Sequence, residues 1–175
     1  MNSYLSSSIL QFKYYKTLGE KTIIRIPDHK LCFKPNDNSN SINTIVKHLN
    51  GNMLSRWTDF LNSDGEKDFR ERDDEFIDTI KNKEELLKLW AKGWDCLFNT
   101  LESLTDTDLE KIVYIRNESH TVIESINRQL CHYSYHIGQI VYLGKILLEE
   151  HWESLSIPKG QSEEFNAKQF SIKKK

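Results

Sequence analysis

The stretch SHTVIESINRQLCHYSYHIGQIVYLGKILLEEHW, residues 119–152, decides the fold. Its apolar positions are Val122, Ile123, Ile126, Leu130, Tyr133, Ile137, Ile140, Val141, Leu147 and Leu148. They recur every three or four residues, the period of an amphipathic helix with one buried face. Gly144 falls on that face, where it costs about 1 kcal/mol of helix propensity against Ala but permits close approach of another helix. A helix over about Ser119–Trp152 needs partners of the same kind, and the rest of the chain supplies three.

The first, about Tyr4–Ile26, has the seam Leu5, Ile9, Phe12, Lys16, Gly19, Ile23, Ile26. Lys16 and Gly19 interrupt it, and Pro27 ends it. The polar connection Asp28–Asn40 follows, rich in turn-forming Asn and Asp. The second helix opens at Asn40 or Ser41, both good N-caps, carries Ile42, Ile45, Val46, Leu49, Met53, Trp57, Phe60 and Leu61, and is expected to stop near Ser63-Asp64-Gly65. Residues 66–75 are dense in both signs of charge and read as a solvated loop. Asn82 and Glu85 form a capping box for the third helix, which runs through Leu86, Leu87, Trp90, Trp94, Leu97, Phe98, Leu101 and Leu104. Ile112–Arg116 is a short β-branched run, expected as extended chain. Residues 153–175 hold Pro158, Gly160 and a terminal Lys173-Lys174-Lys175 and read as an irregular tail with a frayed end. The expected architecture is all-α: a four-helix bundle over residues 1–152, followed by that tail.

Composition agrees. Among 175 residues, 24 Lys+Arg stand against 26 Asp+Glu, so no basic excess marks the chain for nucleic acid. A mean hydropathy of −0.61 fits a water-soluble protein, and no stretch approaches the roughly 20 apolar residues of a membrane span. Residues 1–15 lack the basic and continuous apolar regions of a secretion signal. Three separated cysteines, Cys32, Cys96 and Cys131, give no disulfide framework and no Cys-type zinc site. These features place the protein in the cytoplasm, with neither nucleic acid nor membrane as partner. All three cysteines read as packing residues, Cys131 as a small buried one.

The chemistry rests on the six histidines. His29, in a connection, His120, at a helix start, and His151, near a helix end, have structural or surface readings. His132 and His136 lie one turn apart on one side of the long helix, a spacing that lets two imidazoles chelate one divalent ion. No glutamate stands between them, so the metalloprotease motif is absent. At 100° per residue the pair lies roughly 80–120° from the centre of the apolar face, on a flank shared with Ser125 and Gln129. His48 lies off its own apolar stripe, on a side shared with Ser41, Asn52 and Ser55, and the wheel tilts it toward water. If the two flanks face each other they form a polar cleft with three imidazoles; if they face water there is no site. Asn52 and Gln129 share the flanks and could orient a ring or a substrate, though a plain surface polar role is the preferred reading of both.

Several segments together resemble the DinB-like superfamily, which includes the YfiT-like metal-dependent enzymes. They are Asn40-Ser41-Ile42, Val46-Lys47-His48-Leu49-Asn50-Gly51-Asn52, Ser55-Arg56-Trp57-Thr58-Asp59-Phe60 and Asp64-Gly65-Glu66-Lys67. Later come Asn127-Arg128-Gln129-Leu130, His132-Tyr133-Ser134-Tyr135-His136 and Gly138-Gln139-Ile140. Ser154-Leu155-Ser156-Ile157-Pro158 is similar to the end of one uncharacterised bacterial branch. The resemblance implies an up-down-down-up four-helix bundle, often dimeric, with a divalent-metal site at His48, His132 and His136. Zinc or nickel is the expected ion. Some branches are thiol S-transferases or isomerases that use a low-molecular-weight thiol, and many members have no known reaction.

Three neutral imidazoles leave a metal with open positions, the catalytic pattern. The expected function is therefore activation of a small thiol or water for transfer or hydrolysis on a small electrophilic substrate, in a homodimer. Two other readings stand beside it: a non-catalytic, stress-related metal-binding bundle acting through a partner or as a dimer, and a helical interaction protein with no metal.

Overall fold

A computed structural model describes residues 3–172. Lys173–Lys175, expected to fray, lie outside the described residues. Four long helices dominate: α1 (Ser3–Arg25), α2 (Ile42–Trp57), α3 (Lys83–Ser103) and α4 (Val122–Leu148), with a short α5 (Ser162–Ser171) at the end. Strands β1 (Ile112–Ile115) and β2 (Glu118–Thr121) form a small hairpin between α3 and α4.

α1 runs unbroken through Lys16 and Gly19. Gly19 is no interruption: the indole of Trp90 lies so close that a Cβ there would overlap it. Gly144 plays a similar part on α4, where Thr22 of α1 and Trp152 approach. α2 begins at the Ser41 cap, whose hydroxyl accepts the Thr44 N–H at 3.2 Å. It stops at Trp57, six residues before the expected end at Ser63. Asp59 takes φ 48°, and its carbonyl then accepts the N–H groups of Asn62 and Ser63. Phe60 stays in the core although the helix has ended. Hydrophobic period alone therefore overruns the helix there.

Asn82 caps α3 by accepting the Glu85 N–H at 2.9 Å. The return bond of the expected box lands one residue earlier, from Lys81 N–H to the Glu85 carboxylate at 3.0 Å. The extended run at residue 112 is one arm of an antiparallel hairpin pairing Ile112 with Thr121 and Ile115 with Glu118. Arg116 and Asn117 turn it with φ of 54° and 63°, as two-residue hairpin turns of type I′ require. The Asp64 carboxylate accepts both of their N–H groups at 2.8 Å. β2 takes residues assigned above to the fourth helix, which instead starts at Val122. There Thr121 and Glu124 make a reciprocal capping box, at 3.1 and 2.7 Å.

α1 packs chiefly on α4 and α2 on α3, with α1–α3 and α2–α4 contacts closing the set. Phe12, Trp57, Trp94 and Tyr133, one from each long helix, are fully buried at the centre. Phe12 meets both indoles edge-on with centroids 6.4 Å apart. Removing one such ring costs about 3–5 kcal/mol.

Cys32 and Cys131 are exposed, so their reading as packing residues is corrected. Cys131 lies two residues, about 200°, from the buried Tyr133, on the opposite face of α4. Cys96 alone packs partly against the core. The stretch read as an irregular tail contains α5, which buries none of its residues. Among the described residues no helix is long and apolar enough to cross a membrane.

Candidate metal centre

α2 and α4 turn their histidine-bearing flanks toward each other. His48 is 6% exposed and His136 5%, so the wheel's preference for a solvent-facing His48 is corrected. The Nε2 atom of His132 lies 3.3 Å from Nε2 of His48 and 3.1 Å from Nε2 of His136. All three residues offer a ring nitrogen within 4.8 Å of the others, close enough to hold one metal ion.

Each ring is oriented from behind by an oxygen. Nδ1 of His48 lies 2.8 Å from a Glu75 carboxylate oxygen. Nδ1 of His132 lies 3.4 Å from Oε1 of Gln129, and Nδ1 of His136 lies 3.0 Å from Oε1 of Gln139. An amide or carboxylate oxygen only accepts, so each Nδ1 carries the proton. In the neutral form of each ring Nε2 then keeps a bare lone pair, and the three Nε2 atoms point into one space. Neutral imidazole nitrogens cannot hydrogen-bond one another in that state, whereas a cation between them satisfies all three. The spacing suits one: tetrahedral zinc, with Zn–N of about 2.0–2.1 Å, sets its nitrogens about 3.3 Å apart. The donor set thus fits a divalent ion.

The electrostatics favour the neutral form of His132 and His136. Burial, then the charges His136 and His48 would carry, hold the His132 imidazolium down to about 3. Burial and His48 hold His136 at about 4, against a smaller upward pull from the Gln139 bond. Burial pushes Glu75 upward, but bonds from His48 and Arg70 outweigh it and keep the carboxyl below its usual range. Glu75 is therefore ionised. Arg70, whose side chain is 2% exposed, grips it through Nε at 2.8 Å and through a second nitrogen at 3.0 Å. Phe76 stacks on the His48 ring, centroids 5.2 Å apart.

Glu75 and Arg70 belong to the segment read from its charges as a solvated loop, with Phe76 the residue after it, and this is the main correction. The segment folds back over α2, and Glu75 seats itself where Gly51 has no side chain; a Cβ at Gly51 would collide with the carboxylate. Nothing local in the sequence signals a contact across 27 residues. Gln139, by contrast, follows His136 by one helical turn, a spacing that could have pointed to it.

Asn52 and Gln129 are buried, not surface residues, and both line the cleft. Asn52 accepts the hydroxyl of Tyr133 at 3.0 Å, and Tyr133 accepts the Trp57 indole N–H at 3.0 Å. This chain ties α2 to α4 beneath the histidines. His29 and His120 sit apart from the cluster, and His151 stands at the surface beside Glu150.

The histidines open into a cleft of about 390 Å³. The family model described as "Protein of unknown function (DUF1572)" matches residues 1–161. The chain belongs to that family. No curated protein matches it.

Proposed function

We propose that His48, His132 and His136 bind one divalent cation, zinc or nickel, and that the protein is a metal-dependent enzyme acting on a small electrophilic molecule. The carrying observation is that three ring nitrogens converge while every opposite nitrogen faces an oxygen. We read the four long helices as the up-down-down-up bundle of the DinB-like proteins and the active form as a cytoplasmic homodimer.

When bound, an ion held by three neutral imidazoles keeps its full charge and open positions, and so lowers the pKa of a thiol or water that joins it. The chain's own residues do the rest. Glu75 holds the Nδ1 proton of His48 and, with Arg70 behind it, fixes the ring. Gln129 and Gln139 do the same for the other two. Phe76 covers one face of His48 and keeps water from it. Asn52 offers an amide to a bound molecule from the α2 side.

The test is stoichiometric metal content of protein purified without an affinity tag, compared with His136→Ala, followed by a thiol-and-electrophile conjugation panel and a hydrolysis panel. One equivalent in the native chain, lost in the variant, with metal-dependent turnover, supports the reading. Metal without turnover favours a non-catalytic metal-binding bundle. No metal, with a triple alanine variant unchanged in stability, leaves a helical interaction protein.

A further inference from the structure

The cleft in front of the histidines is lined by five arginines, Arg56, Arg70, Arg72, Arg116 and Arg128, and by no aspartate or glutamate. This is unusual in a chain whose formal charge is −2. The guanidiniums come from four places: α2, the loop after it, the hairpin turn and α4. Two carboxylates stand behind them. Glu66 takes Arg56 at 3.1 Å, Arg116 at 3.0 Å and Arg70 at 3.4 Å. Glu75 takes Arg70 and is shared with His48.

Arg72 and Arg128 are left over. Arg72 reaches only Asp73, a fully exposed neighbour, at 4.0 Å. Its guanidinium lies 5.4 Å from the centre of the Phe76 ring, the same ring that stacks on His48. Among the described residues the Arg128 side chain makes no hydrogen bond or ion pair. It stands four residues before His132 and eight before His136, so one row along α4 carries the cation and both histidines. The two free guanidiniums therefore flank the three imidazoles, one reached through Phe76 and one a helical turn along α4. Deeper in, Arg56 is 6% exposed and its Nε has no hydrogen-bond partner. Guanidiniums gathered without counter-charges at the mouth of a small cleft are a receptor for an oxyanion, which they bind by paired charge-assisted hydrogen bonds.

We propose that the molecule this cleft takes is anionic, a small carboxylate or phosphate compound held at its charged end between Arg72 and Arg128 with its other end toward the three ring nitrogens. This rests on the metal-centre reading for where the chemistry happens, but the anion receptor is a property of the arginines alone. It selects against neutral electrophiles of the same size.

The test is calorimetric titration of the full chain with succinate, inorganic phosphate and the neutral succinamide, in metal-free and zinc-loaded protein at low salt. The comparison is the double variant Arg72→Gln/Arg128→Gln. Both side chains are exposed, and the one ring contact between them is that of Arg72 with Phe76, so the variant is expected to fold. Succinate or phosphate is expected to bind the metal-free protein and succinamide to fail. The double variant is expected to bind the anion at least about tenfold more weakly, with zinc content unchanged. Tighter binding of one anion tells carboxylate from phosphate. Equal binding of succinate and succinamide, or undiminished anion binding by the double variant, overturns the proposal. A chain that takes up no zinc when offered it, yet still binds the anion through Arg72 and Arg128, would sink the metal-centre reading and keep this one.

Discussion

The carboxylate of Glu75 lies 2.8 Å from Nδ1 of His48, joining residues 27 apart in sequence inside a contact that is closed to solvent on both sides. Such a partner fixes the tautomer and raises the basicity of the ring behind which it sits. Glu75→Gln keeps the size and a hydrogen bond but removes the charge. Metal affinity is expected to fall about 10–100-fold, read by competition with a chromogenic chelator. An unchanged affinity would show that Glu75 only packs.

Gly51→Ala tests the same contact from the other side. On helix propensity alone the change stabilises α2 by roughly 0.5–1 kcal/mol. Here the new methyl collides with the Glu75 carboxylate, so the loop must move. Metal affinity is expected to drop as in Glu75→Gln, and the double variant to be no worse than the poorer single one. Additive losses would mean that the two residues act separately.

Tyr133→Phe leaves the Asn52 carbonyl and the Trp57 indole N–H without their shared partner in the core. A loss of about 1–3 kcal/mol is expected, measured by urea denaturation. Metal stoichiometry should stay at the wild-type level, because no ligand is touched.

Asp108 gives the pH dependence. Its carboxylate is held well below its ordinary value by Lys111, then by the Thr105 hydroxyl and backbone N–H. A carboxyl lowered on folding binds fewer protons in the native state, so its stabilisation is complete above the unfolded value and fades as pH falls below it. Asp108→Asn is expected to lower the melting temperature at pH 7. The gap to wild type should close progressively below about pH 4. A gap that stays constant down to pH 2.5 would exclude the linkage.

How much of this could be read from the chain follows physical range. The four long helices were legible because their apolar residues keep one period and their caps, Ser41 and Asn82, are local. His132 and His136 share one helix, so their spacing carries their geometry. His48 was placed only through the DinB-like resemblance, since a helical wheel shows which side a residue takes and not what faces that side. The end of α2 was missed because Phe60 keeps the period after Asp59 has turned the backbone. The hairpin was half seen: Ile112–Ile115 looks like a strand, but Glu118–Thr121 is polar and pairs through its backbone. Glu75 and Arg70 were hidden by their own charge, which reads as solvated until a counter-charge and an imidazole close around it. Asn52 and Gln129 were misjudged because a polar amide, though uncharged, reads as a surface residue until its hydrogen-bond partners, Tyr133 and His132, are known.

The Trp57–Tyr133–Asn52 chain has one more consequence. It rivets the two ligand-bearing helices together below the histidines before any ion arrives, so the entropy of bringing His48 to α4 is spent when the polypeptide first collapses. The socket is ready-made. Loading it should leave the far-ultraviolet circular dichroism spectrum almost untouched, as in a lock whose tumblers are already aligned.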